Sequence, residues 1–194
     1  MVIGVLKKMS KKKVIILSIV LLLSIAYVSR VAYVNIVHGP VDIVQYSIGD
    51  KVKHCNFQFQ VTDYEILYKD EFTKKYGSFS NSSFDDDDFV FILVNMNLKM
   101  LSDKYYKKYD FSLSSFYTQC KAISAVFNFN IFDDIFSGNY KGIEKSGDST
   151  NVILPYAIAK SNVTEKHWKN FKNLDFKLSI NDAENKKIEI NLKK

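Results

Sequence analysis

Lys7, Lys8, Lys11, Lys12 and Lys13 stand directly before an apolar run from Val14 to Val28 that only Ser18 and Ser24 interrupt. Cations followed by such a run form a membrane-targeting element, whose cationic end stays in the cytoplasm. This limits what the chain can fold into: the first segment reads as an isolated helix, and the fold proper is built from the residues after it. Val14–Ser29 is slightly short of the roughly 20 residues that span a bilayer. Val31, Ala32, Tyr33 and Val34 extend it, Arg30 is placed to snorkel to the outer interface, and Tyr27 and Tyr33 suit interfacial anchors. The predicted organisation is a cytoplasmic basic segment (1–13), a transmembrane helix (14–34), a linker (35–46) and a domain outside the cytoplasm (47–194). The alternative is a cleaved signal peptide, with Ser24-Ile25-Ala26 as the small-x-small triplet, which would leave a secreted domain. No cysteine lies near the end of the apolar run, so a lipoprotein is not expected.

The net charge of +6 comes from this segment. Six of the 27 basic residues are its five lysines and Arg30, and the first acidic residue is Asp42. Beyond the segment, 21 basic residues face 21 acidic ones. A nucleic-acid binder carries its excess charge on the folded domain, so nucleic acid is not an expected partner. About 150 residues remain, the usual size of one domain. Fifteen Phe and 12 Tyr favour strands and aromatic core contacts.

Within the domain, Phe57, Phe59 and Val61 alternate with Gln58, Gln60 and Thr62, the pattern of a half-buried strand that continues through Tyr64 and Ile66 to Tyr68. Asp70 to Asp88 is polar and reads as an exposed loop. Phe89 to Met100 is the strongest core strand: one parity is apolar throughout, while the other turns polar at Asn95, Asn97 and Lys99, as in a central strand whose far end emerges into solvent. Leu113–Cys120 and Ile123–Phe132 are further strand candidates, and Phe132–Phe136 suits a short helical turn. Asn151–Ala159 holds Pro155, which fits an edge strand or a bulge. Thr164 is placed to cap a short helix over 162–170. Leu174–Ile180 and Lys187–Leu192 close the chain as a hairpin-like pair. These strands and turns predict an all-β fold, an antiparallel sandwich.

The layout has further short signatures: Ile48-Gly49-Asp50, then Phe-x-Phe-x-Val-x-x-Tyr from Phe57, Asn95-Met96-Asn97-Leu98, Val152-Ile153-Leu154-Pro155-Tyr156, and His167-Trp168. Together, over roughly residues 30 to 194, they resemble the uncharacterised extracytoplasmic immunoglobulin-like domains of low-GC Gram-positive bacteria, a domain-of-unknown-function group. The resemblance implies an immunoglobulin-like β-sandwich on a single membrane helix, and it carries over no catalytic residues.

Candidate chemistry is sparse. Cys55 and Cys120 are the only cysteines. Outside the cytoplasm they are a candidate disulfide, worth about 4 kcal/mol for a long loop; the alternative is two separate buried thiols. His54 beside Cys55 invites a dyad, but neighbours on a strand point to opposite faces, and a base such as His167 would have to come from elsewhere. A zinc site from His54, Cys55, Cys120 and His167 lacks the short paired spacings of such sites. Asp85–Asp88 offers carboxylates without the glycine-punctuated spacing of a calcium loop and reads as a solvated turn beside an apolar strand. Tyr105, Tyr106 and Tyr109, interleaved with lysines, are the candidate partner contact. No phosphate loop, Gly-x-Ser-x-Gly or His-Glu-x-x-His motif occurs. The expectation is a non-enzymatic module without metal or cofactor, held in the lipid bilayer and binding a protein or cell-envelope component. The alternative is an accessory or immunity-type subunit of a membrane complex.

Overall fold

The computed structural model describes residues 11–37, 41–79, 87–102, 112–136, 140, 142–182 and 186–193. The chain divides into two units, residues 1–41 and 42–194.

The first unit is one helix, α1 (Lys11–Val37). At 1.5 Å per residue it is about 40 Å long, enough to cross the ~30 Å hydrocarbon core. It is apolar over the length needed to span a membrane, and its large side chains are exposed. The Ser24 hydroxyl donates to the Val20 carbonyl at 2.9 Å, so the apolar run carries that polar group already bonded.

The second unit is mostly β. Its strands are β1 (Asp42–Ser47), β2 (Val52–His54), β3 (Phe57–Tyr68), β4 (Phe89–Met100), β5 (Phe116–Gln119), β6 (Ser124–Val126), β7 (Ser149–Ala159), β8 (Lys177–Asp182) and β9 (Lys186–Asn191). They form a five-stranded sheet in the order β1-β9-β8-β5-β6 and a four-stranded sheet in the order β2-β3-β4-β7. One apolar core takes side chains from both: Phe59, Val61, Ile92, Val94 and Leu154 from the four-stranded sheet, Phe116, Leu178, Ile180, Ile188 and Ile190 from the five-stranded one. The Phe59 and Phe116 rings meet edge to face at 5.1 Å across the two sheets. Tyr156 is fully buried on the same side, and burial pushes its phenol well above the usual tyrosine range.

Four differences from the sequence-based expectation have physical causes. The pairing is not wholly antiparallel, because β1 runs parallel to β9. β1 also lies almost wholly within 35–46, the segment expected to be a linker. Its Ile43 and Val44 are exposed, so no alternation marked it, and its strand state comes from pairing with a segment about 140 residues away. The polar stretch after Tyr68, expected to be a loop, opens with helix α2 (Lys69–Tyr76). Asp70 and Glu71 in its first turn and Lys74 and Lys75 in its last suit the helix dipole. Glu71 also accepts the Tyr68 amide at 2.8 Å, and Gly77, at φ 93°, ends the helix. The strand expected over Ile123–Phe132 is only β6. From Phe129 the chain is helical, α3 (Phe129–Phe136), capped by Asn128, whose Oδ1 accepts the Ile131 amide at 3.1 Å. Helix α4 (Glu165–Lys169) begins at Thr164, as expected.

Over its first half the central strand β4 is apolar on both parities, because the four-stranded sheet is covered there on both faces. Val90, Ile92, Val94 and Met96 point into the main core. Phe91 and Leu93 point outward into a second cluster with Phe72 of α2 and Ile131 of α3. Phe72 sits 4.5 Å from Phe91 and 5.1 Å from Phe79, ring to ring. Burying one such side chain stabilises by roughly 1.5–3 kcal/mol.

Candidate functional site

Among the described residues, the cover over the outer face of the four-stranded sheet stops halfway along it. Past Leu93 the outward residues of β4 are Asn95, Asn97 and Lys99. Their neighbours are Asp63, Gln60 and Gln58 on β3, and Ile153, Asn151 and Ser149 on β7. The sheet therefore has an outer face in two halves, one aromatic and covered, the other rich in carboxamides and open.

A β-bulge marks the border, where the β3–β4 register shifts between Val61 and Asp63. Before it, Phe59 and Val61 face the core and Gln58 and Gln60 face out. After it, Tyr64, Ile66 and Tyr68 pack on the core, while Glu65 and Leu67 face α2. The extra residue reverses the strand's parity and turns Thr62 and Asp63 towards the same depression. A groove of about 490 Å³ lies there, lined by Thr62 and Asp63 of β3, Asn95 and Met96 of β4, residues 151–153 of β7, and Phe136 at the end of α3. Asn97 Nδ2 donates to Asn151 Oδ1 at 3.0 Å, and the Thr62 hydroxyl donates to the Asn95 carbonyl at 3.2 Å. The half-buried Asn95 carboxamide makes no hydrogen bond to another described residue.

A second groove, of about 630 Å³, lies at the ends of β5 and β9 and the start of β8. Its lining includes Cys120, Lys121, Lys177, Lys193 and Asp175. Two of its lysines are neutralised within the fold: Lys193 pairs with Asp175 at 2.9 Å, and Lys177 with Glu189 at 2.6 Å. Glu189 is the hub of the five-stranded sheet's outer face. It also accepts from Lys187 at 2.8 Å and from Gln119 Nε2 at 2.9 Å, the latter reaching over the strand between them, where Ser179 is small. Burial pushes the Glu189 carboxyl up, but the hydrogen bonds from Lys177 and Lys187 outweigh it and hold the group below its ordinary range. This network holds the sheet face together and leaves its charges little capacity for a ligand.

The residues singled out from sequence scatter. Cys55 occupies the β2–β3 turn at φ 54°, in the left-handed region, and Cys120 lies just past β5 in the other sheet. No disulfide joins them. His54 is buried at the end of β2, whereas His167 is in α4 with its Nδ1 3.0 Å from the Thr164 hydroxyl. Asp88 pairs with Lys160 at 3.0 Å and Asp87 accepts from the Ser161 hydroxyl at 2.8 Å, so this end of the aspartate run is pinned to the turn after β7. Asp85 and Asp86 lie outside the described residues, as do Tyr105, Tyr106 and Tyr109. Among the described residues, no three His, Cys, Asp or Glu side chains cluster to hold a metal ion. The carboxamide groove was not singled out, although Gln58-x-Gln60 and Asn95-x-Asn97 repeat an amide on one parity of paired strands.

The class is thus a two-sheet β domain carried behind an apolar helix. The family model described as "Domain of unknown function (DUF5028)" matches residues 43–187, and the chain belongs to that family. No curated protein matches the chain. Among solved structures, it is similar to a functionally unknown protein from Listeria monocytogenes EGD-e, with 12% identity, TM-score 0.48, and 69% of this chain and 71% of that one covered. It is also similar to a conserved hypothetical protein from Bacillus anthracis, with 14% identity, TM-score 0.45, and 76% of this chain and 95% of that one covered.

Proposed function

We propose that this protein is a non-catalytic binding module, tethered by α1 to the cell membrane with its β domain outside the cytoplasm. The domain is read as an immunoglobulin-like sandwich in the broad architectural sense, with strand orders of its own, β1-β9-β8-β5-β6 and β2-β3-β4-β7. The lysine-flanked apolar helix supports the tether and its orientation. The observation that carries the binding reading is the divided outer face of the four-stranded sheet. One half is sealed by aromatic packing, and the other, among the described residues, is left open and grooved, with Thr62, Asp63, Asn95 and Asn151 set among apolar residues and the Asn95 carboxamide with hydrogen-bonding capacity to spare. A second reading, an accessory subunit working through its helix, is favoured by the uniformly exposed apolar surface of α1.

One experiment separates them. In intact cells, α1 is replaced by an unrelated transmembrane helix, and photo-crosslinkers are placed at Asn97 and, in the native helix, at Leu22. The binding module predicts capture from Asn97 that survives the helix swap. Capture only through Leu22, lost on the swap, refutes it.

A further inference from the structure

We infer that the open half of the four-stranded sheet takes a neutral, hydroxyl-rich chain, a glycan, laid across β3, β4 and β7. The inference rests on the reading of the domain as an outward-facing binding module and specifies the ligand of its groove. Among the described residues the groove lining contains one carboxylate, Asp63, and no cation, the outward Lys99 lying further along β4, so a strongly anionic polymer meets a like charge in the groove itself. What it offers instead is the Asn95 and Asn151 carboxamides and the Thr62 hydroxyl. A carboxamide holds an acceptor and two donors on one planar group, which matches hydroxyls that both donate and accept. Adjacent hydroxyls of a sugar ring can be bridged by one such group. The Asn95 carboxamide is already half withdrawn from water, so a ligand that supplies its hydrogen bonds costs little further desolvation. Phe136 adds an apolar surface at one wall for the C–H face of a sugar ring.

A peptide is the less fitting occupant. Extended peptides join sheets at an edge through main-chain hydrogen bonds, whereas this groove lies on a face. Part of the neighbouring β7 edge is also taken, because Phe127 bridges to Tyr156 and the Asn128 amide donates to the Pro155 carbonyl at 2.9 Å.

The test uses the full-length protein in lipid nanodiscs, with empty nanodiscs as blank. Saturation transfer from protein to ligand is measured by NMR for chitohexaose, cellohexaose, maltohexaose and a neutral Gly-Ser hexapeptide. The expected result is transfer to at least one oligosaccharide, with the dissociation constant raised at least tenfold by Asn95→Ala and by Asn151→Asp. The second variant keeps the oxygen that accepts from Asn97, so its fold is retained, and an unchanged melting temperature verifies this. The glycan assignment is overturned by transfer to none of the three oligosaccharides, or by affinity undiminished in a folded Asn151→Asp. Transfer to the peptide instead overturns the glycan alone and keeps the binding module. Capture solely through Leu22 in the cell experiment overturns the module itself.

Discussion

The two halves of the outer face of the four-stranded sheet are made from the same three strands and serve opposite ends. In one half, Phe91 and Leu93 meet Phe72 under α2, and the face becomes core. In the other, Asn95, Asn97 and Asn151 hold places of the same parity, and the face stays open. Strand propensity does not distinguish them, since both belong to one continuous ladder. The difference lies in which side chains the outward parity carries, and in a one-residue bulge that changes which parity of β3 is outward. A sheet face can therefore pass from structural to available for binding within two residues.

The comparison breaks most completely if the bulge is removed. Thr62 is the residue the register skips, so deleting it puts Phe59, Val61, Tyr64, Ile66 and Tyr68 on one parity and keeps the core while removing the bulge and the Thr62 wall of the groove. The expected outcome is a domain that still unfolds cooperatively, measured by near-UV circular dichroism on heating, but loses capture from a photo-crosslinker at Asn97. Next in size is Phe72→Ala, which empties the centre of the covered half and costs about 3–5 kcal/mol in denaturant unfolding.

Glu189 extends the comparison to the other sheet, whose outer face is closed by ion pairs rather than aromatics. Its carboxyl is held below the ordinary glutamate value of 4.5 in the folded state. Its stabilising contribution is therefore fully present above about that pH and is lost as pH falls through the lower folded value. Glu189→Gln is expected to cost about 1–2 kcal/mol at pH 7 and to flatten the loss of melting temperature between pH 5 and 3. An equally steep loss in the variant removes Glu189 from the account. The smallest effect is expected in the open half: Asn97→Ser should change stability by no more than about 0.5 kcal/mol, because both partners of its one bond remain reachable by water.

Much of this fold was legible in the sequence. The two parities of Phe89–Met100 foretold a strand covered on both sides for part of its length. The core parity of β3 passes from Phe57, Phe59 and Val61 to Tyr64, Ile66 and Tyr68, and that switch from odd to even requires a bulge. Pro155 on the edge strand β7 and Thr164 at the start of α4 follow from local rules of hydrogen bonding. What was not legible depends on distant partners. β1 buries little and is defined by β9, and α2 is a polar octapeptide with one buried residue, Phe72. The open groove was hidden for a related reason: Asn95 and Asn97 read as a strand end reaching solvent, and only the three-strand register shows that Asn151 and Thr62 join them.

The central claim is that the open half of this sheet, rather than the outer face of the other, is where the domain meets its ligand. The most direct measurement is photo-crosslinking in intact cells from Thr62, at the bulge, compared with Ser124 on the five-stranded sheet, both exposed. The account predicts a discrete product from Thr62 and none from Ser124. A product from Ser124 alone, or equal yields from both, contradicts it.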